Sequence, residues 1–232
     1  MIDIAPELFA KLKKSFNEKY NKNKKIEKIL STVRDGKPTY AEVNDLSIEV
    51  GDILAEVFKE NISSDILPDG KMYYNIAKRT VEPMMINNYD IVTDNAAIVQ
   101  EILNKKAGMR IKAQVPKLNQ SRIDGILDRL DEAEFFDDIK WILDEPVKNF
   151  TQSVVDDSIE KNIEFHKGLG FEPKITRKAE ANCCDWCNEI DGVYDYSEAP
   201  DDIYRRHRHC RCTVEYDPGN SKKQDVWTKQ WR

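Results

Sequence analysis

The chain has 232 residues, 40% of them hydrophobic and 34% charged, and its formal net charge is −6. This length suits one or two domains with a substantial hydrophobic core, and the mild acidity excludes a wholly basic nucleic-acid binder while leaving room for a local basic patch. No apolar run is long enough to predict a transmembrane helix, and the N-terminal residues lack the apolar stretch of a secretory signal.

The larger, N-terminal part of the chain predicts a helical body. Thr39 and Glu42 have the spacing of a capping box, which marks the start of a helix. Apolar residues then recur at helical spacing: Val43, Leu46, Val50, Ile53, Leu54 and Val57. We expect a further helix over about 71–82 that stops near Pro83, and another over about 94–106.

A second group of helices is predicted after Pro116. Ser121 and Asp124 repeat the spacing of a helix start. The last helix is expected to end at Gly168, and its apolar positions are Val147, Phe150, Val154, Ile159 and Ile163. The whole body then contains five or six helices.

The pattern changes after Gly170 to short runs of strand-forming residues bounded by turns. Strands are predicted over 174–177, 193–196 and 213–216. The fold class is therefore mainly α, with a multi-helix body and a small C-terminal α+β module of zinc-site type, and we expect the two to have separate cores. The predicted divisions are an N-terminal helical region 1–115, a helical region 116–170 leading into the module, the Cys/His module 171–218 and a C-terminal tail 219–232.

All five cysteines lie in the module, within residues 183–212. Such clustering in a chain without a signal favours a metal site in a reducing compartment over a disulfide scaffold. Cys184 and Cys187 have the Cys-x-x-Cys spacing with which a tight turn brings two thiolates to one ion. Zinc is the expected metal, and its candidate ligands are Cys184, Cys187, His207, Cys210 and Cys212.

The spacing leaves open which four of these bind. Cys210 and Cys212 point the same way if their segment is extended, a geometry that suits joint ligation from a regular strand poorly, and His207 with Cys210 is a better-spaced pair. The plain alternative is that the thiols pack as small hydrophobic side chains or form a disulfide after oxidation. Cys183 is expected to point away from Cys184 and to pack or lie at the surface.

Three other residues are expected to have structural roles. His166, close to the end of the last long helix, should pack there or meet the terminal carbonyl groups. Trp141 and Trp186 are both expected in the hydrophobic core.

Two enzymatic interpretations compete with a structural metal. Arginines around Cys210 would lower the pKa of its thiol, with His207 or His209 acting as a base. Alternatively, the two histidines together with Asp201 or Asp202 could hold a metal ion that activates water. No carboxylate constellation elsewhere supports this, and the chain has no glycine-rich phosphate loop.

Basic residues concentrate in two places. Residues 11–28 hold eight lysines that could contact phosphates by charge alone or simply form a solvated helix face. Residues 205–211 hold four arginines that could contact the phosphates of a nucleic acid or simply support the loop: Arg205, Arg206, Arg208 and Arg211.

The order of a helical body, a short strand, Cys-x-x-Cys, a turn, a tyrosine and His-x-x-Cys-Arg-Cys-Thr-Val resembles a known family. It is similar to the C-terminal region of bacteriophage head morphogenesis proteins, the Mu F-like minor head proteins. The matching positions are Cys184, Cys187, Gly192, Tyr194, His207, Cys210, Arg211 and Cys212. The likeness is sharpest over about 175–217 and looser over about 110–175, and His209 departs from the family, which more often has a small polar residue there.

The resemblance implies a structural, non-enzymatic component of the virion, made in the cytoplasm of the host. Members act at the portal and inside the procapsid in head assembly and, in some cases, in DNA packaging or delivery. The implied partners are portal and capsid proteins, with DNA as a further candidate and no membrane. The alternatives are a metal-dependent or thiol hydrolase, such as a nuclease or toxin, and a zinc-bearing nucleic-acid-binding module.

Overall fold

A computed structural model of the chain describes residues 3–35, 38–181 and 183–219. The α-helices in these ranges are α1 (Ala5–Lys22), α2 (Lys24–Arg34), α3 (Tyr40–Asn61), α4 (Tyr74–Lys106), α5 (Gln120–Glu132), α6 (Phe136–Ile139), α7 (Glu145–Gly168) and the short α8 (Asp185–Glu189). The strands are β1 (Lys174–Lys178), β2 (Gly192–Asp195) and β3 (Thr213–Asp217). The predicted fold class, mainly α with a small C-terminal sheet, is confirmed. Nowhere in the described part does a helix have both the length and the apolar character needed to cross a bilayer.

Helix α3 begins at the predicted capping box. The Thr39 hydroxyl accepts a hydrogen bond from the amide of Ala41 at 3.1 Å, and the Glu42 carboxylate accepts one from the amide of Thr39 at 2.7 Å. These side chains satisfy donors that the first turn of a helix leaves without partners. The predicted apolar stripe of α3 is buried throughout: Val43, Leu46, Val50, Ile53, Leu54 and Val57.

The predicted helix end near Pro83 is wrong, because α4 runs unbroken from Tyr74 to Lys106 with Pro83 inside it. A proline removes one backbone hydrogen bond and crowds the preceding turn. Here α4 packs against α1, α3, α5 and α7, and the residues that follow the proline, Met84 and Met85, are 2% and 0% exposed. Burial of this helix on several sides therefore outweighs the local cost of the proline.

In the second group of helices, the predicted start of one helix is slightly late and the predicted end of another is correct. Helix α5 begins slightly before Ser121, since the side chain of Asn119 caps it by accepting a hydrogen bond from the amide of Arg122 at 3.3 Å. Helix α7 ends at Gly168, as predicted.

Helices α3 and α7 come close together at Gly51. A β-carbon at this position would lie 3.3 Å from the Cα of Lys148 and 3.4 Å from the Cβ of Thr151. The missing side chain therefore lets the two backbones pack side by side.

Gly51→Leu is expected to lower the free energy of unfolding by about 1–3 kcal/mol, because the added side chain overpacks the α3–α7 contact. Gly125→Leu is the matched control, since a β-carbon at Gly125 in α5 would meet nothing within 4 Å and leucine favours a helix over glycine. Urea denaturation measures both. Equal destabilisation by the two variants would show that the close helix contact has no energetic weight.

The three strands form one antiparallel sheet in the order β2-β1-β3. Ile175 in the central strand lies opposite Tyr194 on one side and Tyr216 on the other. The three predicted strands are confirmed to within one residue at their ends.

The sheet shares a hydrophobic core with the helical body. Ile175, Val214 and Tyr216 belong to the same buried cluster as residues of α3, α4 and α7. The Asn44 side chain in α3 also donates a hydrogen bond to the carbonyl of Val214 at 2.7 Å. The expectation of separate cores for body and module therefore differs from the packing, since a five-residue strand buries too little by itself and completes its core against the helices. The residue numbers of the predicted divisions stay predictions.

Candidate metal centre

Three segments bring the candidate ligands together. Cys184 immediately precedes α8 and Cys187 lies within it. His207 lies in the loop that follows Ile203. Cys210 and Cys212 lie in the segment that leads into β3. The sheet anchors the flanks of these segments, because β1 precedes α8 and β3 follows Cys212.

The five predicted metal ligands form two overlapping groups. The ligand atoms of Cys184, Cys187 and His207 lie within 4.8 Å of one another, and so do those of Cys187, Cys210 and Cys212. The Nε2 atom of His207 is 3.3 Å from the Cys184 Sγ and 3.1 Å from the Cys187 Sγ. A tetrahedral zinc ion with sulfur ligands at about 2.3 Å holds its ligand atoms about 3.5–3.8 Å apart. Cys187 belongs to both groups. The cluster could therefore hold one metal ion with Cys187 among its ligands.

Cys210 and Cys212 are both 1% exposed, and β3 begins only after them at Thr213. They therefore do not occupy a regular strand, and the geometric objection to their binding one ion together does not apply. Which four of the five residues bind stays a prediction.

The ring of His207 is oriented for ligation. Its Nδ1 atom lies 2.7 Å from the carbonyl oxygen of Arg208. A carbonyl oxygen only accepts hydrogen bonds, so Nδ1 carries the proton and Nε2 presents its lone pair to the two sulfurs. Metal-binding histidines commonly have this arrangement, in which the second ring nitrogen donates to a carbonyl or carboxylate.

Burial raises the pKa of the Cys187 thiol, and the neighbouring Cys212 and Cys210 raise it further. Without a cation, the Cys187 thiol therefore favours its protonated form. A divalent cation reverses this preference, because it stabilises the thiolate that binds it.

Arg177 was not among the predicted site residues, yet it lies beside the cluster and is 0% exposed. Its guanidinium donates to the carbonyls of Ile203 at 2.5 Å and Arg205 at 3.1 Å, and its Nη2 lies 3.7 Å from the Cys210 Sγ. The arginine thus ties β1 to the loop that carries His207 and places a positive charge next to the sulfurs. The alternation of β1 is the signal that could have found it, because Arg177 shares the face of the buried Ile175.

Trp186 packs beside the cysteines and is partly buried. Its ring lies edge-on to His207 at 6.0 Å, and its Nε1 donates to the Asp202 carboxylate at 3.0 Å. The prediction that Trp141 belongs to the core is wrong, since its side chain is 44% exposed. A short 3-10 turn at Lys140–Leu143 buries Ile142 and Leu143 instead and leaves the tryptophan outside.

The four predicted nucleic-acid-binding arginines lie in different surroundings. Arg206 is internal: its guanidinium pairs with the Asp156 carboxylate at 2.5 and 2.8 Å and donates to the Cys212 carbonyl at 2.7 Å. Arg211 lies 3.4 Å from Glu145, itself a buried carboxylate. Arg205 and Arg208 lie over the rings of Trp186 and Trp141 respectively. Arg206 and Arg211 therefore support the loop, and the predicted patch is not one continuous surface.

The remaining histidines and Cys183 lie outside both ligand groups. His166 is fully buried, as the packing interpretation predicts; it bonds the hydroxyl of Tyr216, and burial lowers its pKa. His209 is turned towards Glu145, whose carboxylate lies 3.2 Å from its Nδ1. Cys183 donates to the side-chain oxygen of Asn188 at 3.2 Å.

Neither ligand group includes a carboxylate in the described parts of the chain. Asp202, one of the acids that the hydrolase interpretation needs, accepts the Trp186 hydrogen bond instead. The site is thus a Cys/His cluster, in a mainly helical chain with a small sheet, that could hold a metal ion. No family model, no curated protein and no solved structure matches the chain.

Proposed function

We propose that the chain is a structural component of a phage head, of the minor head protein class, and that its Cys/His cluster holds a structural zinc ion. One observation carries the zinc assignment: two groups of three nitrogen and sulfur donors, neither with a carboxylate, overlap at Cys187. Catalytic zinc keeps one coordination position open for water, whereas structural zinc is enclosed by four protein ligands. Cys187 together with three of the other four donors would enclose the ion.

The burial of the site supports the same assignment. Cys187, Cys210 and Cys212 are at most 1% exposed, so a substrate cannot reach the metal from their side. A structural ion here would join α8 to the segment before β3 and to the His207 loop. Metal binding of this kind contributes directly to the folding free energy of a short segment.

The phage assignment rests on the resemblance of the module to the Mu F-like proteins. The positions that carry it include all five donors, and Arg211 supports the loop through Glu145. In this role the helical body contacts portal or capsid subunits during assembly in the host cytoplasm, and the module folds one end of the chain. DNA is a further candidate partner.

Sedimentation of phage particles tests the assembly role. An epitope-tagged chain expressed during growth of its own phage is expected to sediment with heads and to appear in the mass spectrum of purified virions. A chain that stays entirely in the supernatant, with none in purified particles, would contradict a virion role.

The hydrolase alternative is tested separately. Purified protein should leave single- and double-stranded DNA and RNA intact in the presence of Mg²⁺, Mn²⁺ or Zn²⁺. Cleavage that disappears in His207→Ala, with zinc content and circular dichroism unchanged, would replace the structural assignment by an enzymatic one.

A further inference from the structure

A basic cavity is lined in part by the His207 loop and by no cysteine. Its volume is about 430 Å³, and it is bounded by α5, the start of α7 and the loop. Its basic lining residues come from two parts of the chain far apart in sequence: Arg122, Arg129, Arg206, His207 and Arg208. This size suits a small ligand or one unit of a polymer.

The cavity has positive charge that no internal carboxylate balances. Arg206 is neutralised by Asp156, but Arg129 and Arg208 have no ion-pair partner among the described residues. Glu145 is the one carboxylate among the lining residues, and it is engaged by Lys148, Arg211 and His209.

Arg122 is partly committed to the protein itself. It donates a hydrogen bond to the Ser153 hydroxyl at 2.5 Å. The carboxylates of Asp157 and Asp156 also attract its positive charge. Arg129 and Arg208 therefore supply the two charges that a ligand would meet.

An exposed aromatic ring stands in the wall of the same cavity. Trp141 is 44% exposed, and the guanidinium of Arg208 lies 5.7 Å from the centre of its ring. A large aromatic ring left in water beside uncompensated arginines combines two features of nucleotide recognition: arginine binds phosphate through charge-assisted hydrogen bonds, and a base stacks on an aromatic face.

We infer that this cavity binds a nucleotide unit, with its phosphate on Arg129 and Arg208 and its base against Trp141. The inference does not rest on the proposed function. A free nucleotide or one unit of a single-stranded nucleic acid supplies the same phosphate and base. The site differs from the predicted basic loop, because it excludes Arg205 and Arg211 and depends on α5.

Binding to the zinc-loaded, full-length protein tests the inference. The probe is a short fluorescein-labelled oligothymidylate, followed by fluorescence anisotropy at low ionic strength, and thymidine monophosphate and inorganic phosphate serve as competitors. Arg129→Gln and Trp141→Leu are each expected to weaken binding about tenfold. Arg110→Gln is the control, because it removes the same charge from an exposed residue that does not line the cavity.

Every outcome decides between the sources or against the site. Competition by the mononucleotide identifies a free nucleotide as sufficient, whereas binding of the oligonucleotide alone identifies single-stranded nucleic acid. Equal weakening by Arg110→Gln and Arg129→Gln would reduce the effect to general charge and overturn the site. Full competition by inorganic phosphate together with unchanged binding by Trp141→Leu would overturn the stacking. Failure of the labelled oligonucleotide to bind would overturn the whole inference.

Discussion

Replacing Cys187 by serine is expected to reduce the zinc content from about one ion per chain to nearly none. Cys187 is the residue shared by both ligand groups, so its loss leaves at most a pair of donors in each group. Elemental analysis of protein purified from zinc-replete cells without chelator measures the change. Cys183→Ser is the matched control, because Cys183 lies outside both groups and bonds Asn188.

The same variant is expected to unfold at a lower temperature as a whole. The strands that flank the cluster share a core with α3, α4 and α7, so disorder in the module removes part of the packing of the helices. Thermal unfolding followed by circular dichroism measures this. Limited proteolysis that instead releases a stable fragment ending near residue 170 would show that the helical body folds independently, and wild-type protein that folds fully without any metal would contradict the zinc site itself.

Asp156→Ala is expected to lower the free energy of unfolding by about 3–5 kcal/mol, because it leaves the Arg206 charge buried without its partner. The side chains of Arg206 and Asp156 are 3% and 2% exposed. Burial opposes the charge on Arg206, and Asp156 overcomes this effect, so the pKa of Arg206 lies above its usual value. The pair is thus stable only while both charges are present.

The loss should extend to the metal centre, because Arg206 also donates to the carbonyl of Cys212. Weaker zinc retention in Asp156→Ala under chelator challenge would demonstrate this link. Lys174→Ala is the control, because it breaks an exposed ion pair. Lys174 and Asp195 lie 3.3 Å apart with side chains 56% and 57% exposed. Such surface pairs contribute about 0–1 kcal/mol to the free energy of unfolding. Urea denaturation compares the two, and similar losses would contradict the importance of burial.

Much of the fold follows from signals within a few residues of each other. The capping box of Thr39 and Glu42 determines the start of α3 through hydrogen bonds made inside one turn. The apolar spacing along α3 identifies the face that is buried. Short alternating runs between turns determine the three strands, and the Cys-x-x-Cys spacing already brings Cys184 and Cys187 together.

Other features depend on partners far apart in the sequence, so only the tertiary structure decides them. Pro83 ends a helix by local rules, yet α4 continues because its neighbours bury it on several sides. Trp141 is expected in the core from the sequence, yet a 3-10 turn leaves it at a cavity wall.

The basic loop shows the same dependence most clearly. Arg206 looks like a phosphate contact in sequence, but α7 brings Asp156 to it and makes it an internal ion pair. Arg129 has no distinguishing local pattern and comes to line the same cavity as Arg208 only when α5 packs near the loop. Helices, strands and ligand spacing are determined over short segments, whereas burial and the pairing of charges depend on which distant segments the shared core brings into contact.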